Sequence, residues 1–415
     1  MAKSDIIAGL DVGSSQVCCV IGRLSEETGA LEVLSGARIL CRGVKGGVVI
    51  NLSETSYAVR KVIEQAEEQA QETVRQIYLG LRGSHIESMN ARGAINISRT
   101  DKEITAEDVS GAVENAKTIR LSPDREILHT IPQEFSLNHQ RGVPNPVGME
   151  GNFLEVDVHI LTGSSSHLSN IYKAIAQAGF EVVEPVYGLL SVGDLVITQE
   201  EKELGCLLID FGGLTTGLAI YTEGSIRFSK ELQVGSDYIT RDISHSLRTS
   251  LSVAQDIKEK YGIAMGSLLK ADGKFDFMAV DGRTIRESTR KQLVEIIQPR
   301  LDQIFVTIEE EIRQSSLADA IVPGGIIITG GGARLEGIVQ AAEQALNSST
   351  RIGLPQDIAA GPEDVIGNTS FSTAVALLRS GISGSQGFGS GFGNQRPSKG
   401  PGWMRKMKDW FETSF

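Results

Sequence analysis

Two short segments of this 415-residue chain share one arrangement, an apolar run followed by aspartate, glycine and hydroxylated side chains. The first segment contains Asp11 and the second contains Asp210, 199 positions later. A glycine two residues after each aspartate lets the backbone turn sharply, and the N–H groups of such turns can bind phosphate. A carboxylate repels phosphate, so each aspartate is expected to act through Mg2+ or its water shell. The pair predicts a polyphosphate and a metal ion held between two related halves.

The residues expected to contact the phosphates are glycines and hydroxylated side chains that follow the two aspartates. They are Gly13, Ser14, Ser15, Gly212, Gly213, Thr215 and Thr216. Asp11 and Asp210 are the candidate catalytic residues and, through water, the candidate metal residues. For either segment taken alone, a tight turn without a ligand is the alternative interpretation. The presence of both segments, together with a third glycine loop, favours a nucleotide site.

The third loop consists of Gly330, Gly331 and Gly332, which follow a β-branched run at 326–329. A pattern typical of a helix begins shortly afterwards, at 335–346. A strand, a glycine turn and a helix in succession commonly contact nucleotides, because the backbone can approach the ligand closely. We expect this loop to contact the base or ribose.

The three loops together resemble those of the actin, sugar-kinase and heat-shock-chaperone superfamily. Within it, the chain resembles the FtsA family of bacterial cell-division actins. The segments that carry this resemblance are 9–22, 43–51, 204–216, 235–243, 253–262 and 326–333. The resemblance implies an α/β fold of two duplicated ribonuclease-H-like halves around a nucleotide cleft, with ATP and Mg2+ as cofactors.

The resemblance and the pattern along the chain together predict eight segments. They are the first half at 1–83 and 164–198, an inserted FtsA-type subdomain at 84–163, the second half at 199–232 and 303–380, an upper helical subdomain at 233–302, a flexible linker at 381–400, and an amphipathic helix at 401–415. The strands of 5–41 and 199–229, and a helix at 286–300, are the elements expected to position the site.

The FtsA resemblance also implies partners and a location. The partners are the C-terminal tail of FtsZ, further copies of the chain in a filament, membrane lipids and other divisome proteins, at the cytoplasmic face of the membrane at the septum. In the predicted helix 286–300, Lys291 is assigned to the base pocket, and Arg290 and Arg300 to the FtsZ contact. A solvated basic helix face is the alternative for all three residues.

The second loop departs from the family pattern at two positions. FtsA and its relatives usually carry Gly-Gly-Gly-Thr-Thr-Asp there, whereas this chain has Leu214 in place of the third glycine and Gly217 in place of the aspartate. Losing that carboxylate affects hydrolysis more than binding. We therefore expect a slow ATPase at most.

Composition narrows the class of protein. The formal net charge is −12, which argues against general nucleic-acid binding, because such binding needs a basic surface. The four cysteines have no metal-ligand spacing, so they are expected to be free buried thiols. No apolar run approaches the length of about 20 residues that spans a bilayer.

The amino-acid composition changes from residue 381 onwards. Residues 381–400 contain seven glycines and four serines, which is typical of a flexible linker. In the segment that follows, helical spacing places six apolar side chains within an arc of about 140° and basic side chains at its edges or opposite it. The residues expected at a membrane are Trp403, Met404, Arg405, Lys406, Met407, Lys408, Trp410, Phe411 and Phe415.

Such a segment predicts a helix lying in the membrane interface. A helix docked on the protein's own core and a peptide that fits a partner's groove are the two alternatives.

The leading hypothesis is an ATP-binding scaffold that polymerises and anchors FtsZ filaments to the cytoplasmic membrane. A soluble ATPase or small-molecule kinase of the same superfamily is one alternative, although no catalytic base beside an acceptor pocket is evident. A pilus-assembly ATPase is another. The linker and terminal helix favour the scaffold, because neither an enzyme nor a pilus ATPase needs an interfacial tail.

Overall fold

The computed structural model describes residues 6–25, 29–321 and 323–386. The first elements are β1 (Ile7–Val12), β2 (Gln16–Leu24), β3 (Leu31–Leu40), β4 (Val44–Lys45), β5 (Val48–Val49), α1 (Leu52–Ala70) and β6 (Gln76–Leu81). The next are β7 (Glu87–Asn96), α2 (Ala106–Ala116), β8 (Arg125–Leu137), β9 (Gln140–Val143), β10 (Phe153–Ser164), α3 (Ser165–Ala178), β11 (Glu181–Tyr187) and α4 (Gly188–Val196).

The remaining elements follow in chain order. They are α5 (Gln199–Leu204), β12 (Cys206–Phe211), β13 (Thr216–Thr222), β14 (Ser225–Leu232), α6 (Ser236–Leu247), α7 (Leu251–Tyr261), β15 (Lys274–Met278), β16 (Ile285–Thr289), α8 (Arg290–Gln314), β17 (Ile326–Thr329), α9 (Ile338–Leu346), β18 (Thr350–Ile352), β19 (Ile358–Ala360), α10 (Glu363–Ile366) and α11 (Ser372–Gln386). Among the helices of these described residues, none is both long and apolar enough to cross a membrane.

The two main sheets repeat one topology. The first has the order β3-β2-β1-β6-β11, with β19 added beside β3, and the second has the order β14-β13-β12-β17-β18. In each sheet the two pairings on one side of the central strand are antiparallel and the two on the other side are parallel. This repetition is the predicted duplication of ribonuclease-H-like halves.

One apolar core lies within the second half, whereas the core of the first half also includes residues of the second sheet, such as Leu208 and Ala219, and is covered by α11. Helix α11 packs on β1, where a Cβ atom added at Gly9 would lie 2.2 Å from the carbonyl oxygen of Ala374. Only glycine permits this approach of a strand to a helix backbone. The chain therefore returns to the first half after completing the second, and both β19 and α11 belong with the first sheet although 303–380 was assigned to the second half.

The insertion forms a separate layer. Strands β7, β10, β8 and β9 make an antiparallel sheet whose core is covered by α2. Helix α2 begins at Ala106, because Thr105 and Asp108 exchange the two hydrogen bonds of a capping box. The insertion also contacts β14 of the second half, where the Ser88 hydroxyl donates to the Ser229 carbonyl at 2.5 Å.

Three predicted elements differ from the structure. Residues 199–204 form the helix α5 rather than a strand. The upper subdomain, predicted to be helical, also contains the hairpin β15–β16, in which alternate side chains such as Phe275 and Phe277 are buried. The predicted helix 286–300 begins only at Arg290, because 286–289 belong to β16 and the Thr289 side chain caps the helix by accepting from the Gln292 N–H.

The C-terminal boundary also differs. Helix α11 continues to Gln386 and so overlaps the start of the predicted linker at 381–400. The remainder of that linker, and the predicted amphipathic helix at 401–415, lie outside the described residues.

Candidate functional site

The two aspartate loops have the same local structure. In the first, the Gly13 N–H donates to the Gln16 carbonyl at 3.0 Å, and in the second, the Gly212 N–H donates to the Thr215 carbonyl at 3.0 Å. Each aspartate lies on the central strand of its sheet, Asp11 on β1 and Asp210 on β12. The duplicated sequence pattern therefore corresponds to a duplicated turn at equivalent positions of the two halves.

The two loops meet across the boundary between the halves. The Ser15 hydroxyl donates to Asp237 Oδ2 at 2.6 Å, and a Cβ atom added at Gly213 would lie 1.9 Å from Ser15 Oγ. Asp237 is in the first turn of α6, whose N terminus is held by the second loop, since the Ser236 and Asp237 N–H groups donate to the carbonyls of Gly212 and Gly213. The structure thus brings the predicted phosphate-contacting residues of both loops together.

A buried arginine joins the two aspartates. The Arg82 guanidinium donates to Asp210 Oδ2 and to the Thr373 hydroxyl, and its Nε lies 3.5 Å from Asp11 Oδ1. The side chains of Arg82, Asp11 and Asp210 are 11%, 14% and 2% exposed. A permanent positive charge therefore lies between the carboxylates of the two halves.

A third carboxylate completes this cluster. Glu231 on β14 lies directly opposite Gly217 on β13, and a Cβ atom added at Gly217 would be 3.3 Å from Glu231 Oε1. The Tyr187 hydroxyl donates to the same Oε1 at 3.1 Å. Cross-strand partners share a face of the sheet, and Glu231 together with Leu189, whose Cδ1 would lie 3.0 Å from the same Cβ, fills the space beside Gly217.

Burial controls the ionisation of the cluster. It raises the pKa of Glu231 to about 7, an effect that Arg82 opposes and Asp210 reinforces. Burial likewise raises the pKa of Asp11, again opposed by Arg82 and reinforced by Asp210. For Arg82, burial lowers the pKa, but the nearby carboxylates of Asp210, Asp11 and Glu231 raise it further, so the guanidinium stays charged.

The residues present fit a metal ion held through water. Asp11 Oδ1, Asp210 Oδ1 and Glu231 Oε2 are buried without a hydrogen-bond partner in the described part of the chain. Buried carboxylate oxygens of this kind need a cation or ordered water. Within the same residues there is no group of three or more His, Cys, Asp or Glu side chains arranged to hold a metal directly.

The triple-glycine loop lies against the second aspartate loop. Gly330 has a φ angle of 85°, and a Cβ atom there would lie 2.4 Å from Asp210 Oδ1. A Cβ atom at Gly332 would lie 2.4 Å from the ring of Phe211, whereas one at Gly331 would meet only Ser370 Oγ, at 3.6 Å. The loop therefore needs glycine at Gly330 and Gly332 in order to approach the second loop.

The structure also shows the surroundings of Thr216 and Lys291, two residues predicted to contact the nucleotide. Thr216 is fully buried, and its hydroxyl donates to the Val234 carbonyl at 2.7 Å, so this group is engaged within the second half. Lys291 is exposed in the first turn of α8. Its neighbour Arg290 donates to Glu336 Oε2 at 2.6 Å, which places the start of α8 near the chain that leaves the triple glycine.

The two predicted partner residues lie in different surroundings. Arg290 is paired with Glu336, whereas Arg300, about 15 Å further along α8, donates to both carboxylate oxygens of Asp242 at 2.5 and 3.1 Å. Arg300 borders a surface cavity of about 350 Å³ between α6 and α8. Its other lining residues are Asp242, His245, Ser246, Glu295, Ile296, Pro299 and Gln303.

Sequence reasoning missed several residues of the cleft. Arg82, Glu231, Tyr187 and Asp237 belong to none of the loop motifs, and they reach the cleft through sheet register and helix placement. The available signal was the position of Asp237 within segment 235–243, which carries the family resemblance.

Comparison with known proteins identifies the family. Residues 207–376 match the family described as "Cell division protein FtsA", and residues 83–162 match the "SHS2 domain inserted in FTSA". The FtsA of Pseudomonas aeruginosa is 34% identical, covering 99% of this chain and 98% of that protein, and the FtsA of Escherichia coli K12 is 32% identical, with the same two coverages. The FtsA of Borreliella burgdorferi is 37% identical over 90% of each chain.

Solved structures show the same fold at low sequence identity. A PilM–PilN type IV pilus biogenesis complex has a TM-score of 0.66 at 15% identity, covering 91% of this chain and 98% of the other. MreB 5 of Spiroplasma citri bound to AMPPNP has a TM-score of 0.55 at 12% identity, covering 92% and 100%. The predicted actin-like fold with an inserted FtsA-type subdomain is confirmed, and the chain belongs to the FtsA family of cell-division proteins.

Proposed function

We propose that this cell-division protein binds ATP between its two halves, polymerises, and anchors FtsZ filaments to the cytoplasmic membrane. The observation that carries the proposal is the meeting of three glycine loops, two of which follow the buried aspartates Asp11 and Asp210. A protein of the same fold, MreB 5 of Spiroplasma citri, has been solved with bound AMPPNP.

Different residues of the chain would bind the phosphates, the nucleoside and the hydrated Mg2+. Backbone N–H groups of Ser14, Ser15 and Gly213 would donate to phosphate oxygens, because those of Gly13 and Gly212 already close the two turns. The triple glycine would lie against the nucleoside. Asp11 and Asp210 would accept hydrogen bonds from the water shell of Mg2+. The ion itself would neutralise phosphate charge. Because Gly217 carries no carboxylate, we expect hydrolysis to be slow and the nucleotide to act mainly on conformation and assembly.

The membrane contact is proposed for the terminal segment 401–415, on the strength of its apolar arc and flanking basic residues. One short helix binds a bilayer weakly. A filament presents many such segments, and each later segment binds effectively intramolecularly. Polymerisation would therefore convert weak individual anchors into stable attachment.

The FtsZ contact is proposed at the cavity between α6 and α8. This cavity is open to solvent and has apolar, cationic and anionic groups side by side, which can contact the mixed side chains of a peptide. Arg300 borders it, and its pairing with Asp242 fixes the guanidinium in place. We do not assign Arg290 to this contact, because it does not line the cavity and lies about 15 Å from Arg300 along the helix.

ATP binding is the first test. Isothermal titration of the full chain with ATP in the presence of Mg2+ is expected to give saturable binding that Asp210→Ala weakens strongly. The matched control is Asp157→Ala, because Asp157 pairs with Arg92 on the surface of the insertion, away from the cleft. Equal affinity in all three proteins would reject the cleft as the ATP site.

Membrane anchoring is tested by sedimentation with anionic vesicles. The full chain is compared with a chain that ends at Gly400, each with and without ATP. We expect only the full chain to sediment with lipid, and more of it with ATP. Sedimentation of both chains, or of neither, would contradict the role proposed for 401–415.

A further inference from the structure

The feature that the proposed function leaves unexplained is Arg82. It lies just after β6 in the first half, yet its guanidinium donates to Asp210 of the second half and to Thr373 of α11, and its Nε is 3.5 Å from Asp11 Oδ1. It is 11% exposed. One side chain therefore contacts the aspartates of both phosphate loops.

Two buried carboxylates need a positive charge nearby, because moving them out of water is costly unless they are paired. A divalent metal would ordinarily be the candidate at a phosphate site. Here the chain itself supplies the cation, and a guanidinium keeps its charge at every relevant pH. Its planar fork can hold several oxygen acceptors at once.

Glu231 belongs to the same arrangement. It helps to fill the space beside Gly217, receives the Tyr187 hydroxyl, and lies in the electrostatic field of Arg82 and Asp210. The cluster thus contains three carboxylates and one guanidinium. Three of the carboxylate oxygens, on Asp11, Asp210 and Glu231, have no hydrogen-bond partner in the described residues, so the cluster retains acceptors for water or a further cation.

We propose that Arg82 is a resident cation of the cleft, which links the two aspartates of the glycine loops and offsets their negative charge, so that they repel the phosphates of a bound nucleotide less. This inference rests on the proposed function, because ATP is the ligand in question. Asp11 and Asp210 each lie two residues before the glycine of a phosphate loop, so a charge held between them acts on both loops at short range. Its consequence is that ATP binding depends less on a divalent metal than it would without Arg82.

The test compares the Kd for ATP in Mg2+ with the Kd in EDTA. In the unaltered protein, EDTA is expected to raise the Kd by less than about tenfold, and in Arg82→Ala by about a hundredfold, because a hydrogen-bonded charge accounts for one to two factors of ten. Arg82→Lys should fall between them, since lysine keeps the charge but not the fork. The control Arg92→Ala, in an exposed ion pair with Asp157, should match the unaltered protein.

A second measurement does not require ATP. Arg82→Ala leaves three carboxylates without their cation, so MgCl2 alone is expected to raise the Tm of this variant more than that of the unaltered protein. Removal of a buried ion-pair partner can prevent folding. The double variant Arg82→Ala/Glu231→Gln removes one charge of each sign, and it should show the same strong dependence of ATP binding on Mg2+.

The possible results distinguish failure of the resident-cation proposal from failure of the proposed function. If the unaltered protein binds ATP in Mg2+ but loses it in EDTA to the same extent as Arg82→Ala and the double variant, the resident-cation proposal is wrong while the proposed function stands. If the unaltered protein binds no ATP in either condition, the proposed function fails, and this inference fails with it.

Discussion

Replacing Gly213 by alanine should disturb the contact between the two phosphate loops. The added Cβ would lie 1.9 Å from Ser15 Oγ and 3.0 Å from Asp237 Oδ2, too close for either atom to remain in place. The φ angle of Gly213 lies outside the left-handed region, so alanine introduces no strain of that kind. Any cost must therefore come from the contact with the facing loop.

The loss of unfolding free energy expected for Gly213→Ala has two contributions. Overpacking typically costs about 1–3 kcal/mol. Displacement of the Ser15 hydroxyl also breaks its 2.6 Å hydrogen bond to the Asp237 carboxylate, a bond to a charged group that is worth about 1.5–3 kcal/mol when buried. Both residues are only half-buried, so we expect the lower end of each range and a total of about 2–3 kcal/mol.

A double-mutant cycle isolates the cause. Ser15→Ala removes both the obstructing hydroxyl and the hydrogen bond, so Gly213→Ala should cost much less in that background than in the unaltered protein. The free energies of unfolding come from urea denaturation, and the coupling is expected to be at least about 1 kcal/mol. An equal cost of Gly213→Ala in both backgrounds would show that the loops do not meet through Ser15, and it would refute the reasoning.

Two further predictions concern the insertion. His159 is buried between Asn90 and Ser229, and burial lowers its pKa to about 4. The unfolded chain, with a histidine pKa near 6.5, binds this proton first. The stability linked to neutral His159 is therefore complete above about pH 6.5 and is lost as the pH falls towards 4, by at most about 3 kcal/mol. The free energy of unfolding of His159→Gln, measured by urea denaturation across this range, should fall less steeply with falling pH than that of the unaltered protein. An equal slope in the two proteins would show that neutral His159 does not account for the loss. Thr105→Ala removes the cap of α2 and should cost about 1 kcal/mol, whereas Thr100→Ala, at an exposed position, should cost little; equal effects would reject the cap.

The sequence predicts correctly those features that depend on residues close together in the chain. Strands were predicted within 5–41, where β1 and β2 lie, because apolar periodicity depends on residues a few positions apart. The errors arose where short segments had to be assigned without knowledge of their neighbours. Residues 286–289 were predicted as helix, yet they pair with β15 as a strand.

The glycine turns were also determined locally. The hydrogen bond from Gly13 to Gln16 and its counterpart from Gly212 to Thr215 each close within four residues, so sequence alone could place the two loops and suggest a nucleotide between them. The actin-like fold was implied by the resemblance of the three loops and of the other matching segments to a known family.

Only the tertiary structure decided what surrounds the aspartates. Arg82 reaches Asp210 across 128 positions of sequence, and Glu231 stands beside Gly217 because two strands pair in one register. Ser15 meets Asp237 across 222 positions for the same kind of reason. Contacts of this type depend on strand pairing and on how two halves pack, and no spacing along the chain specifies them. The sequence by itself therefore determined that there are two equivalent glycine turns after aspartates, and the packing of the halves decided which charges lie between them.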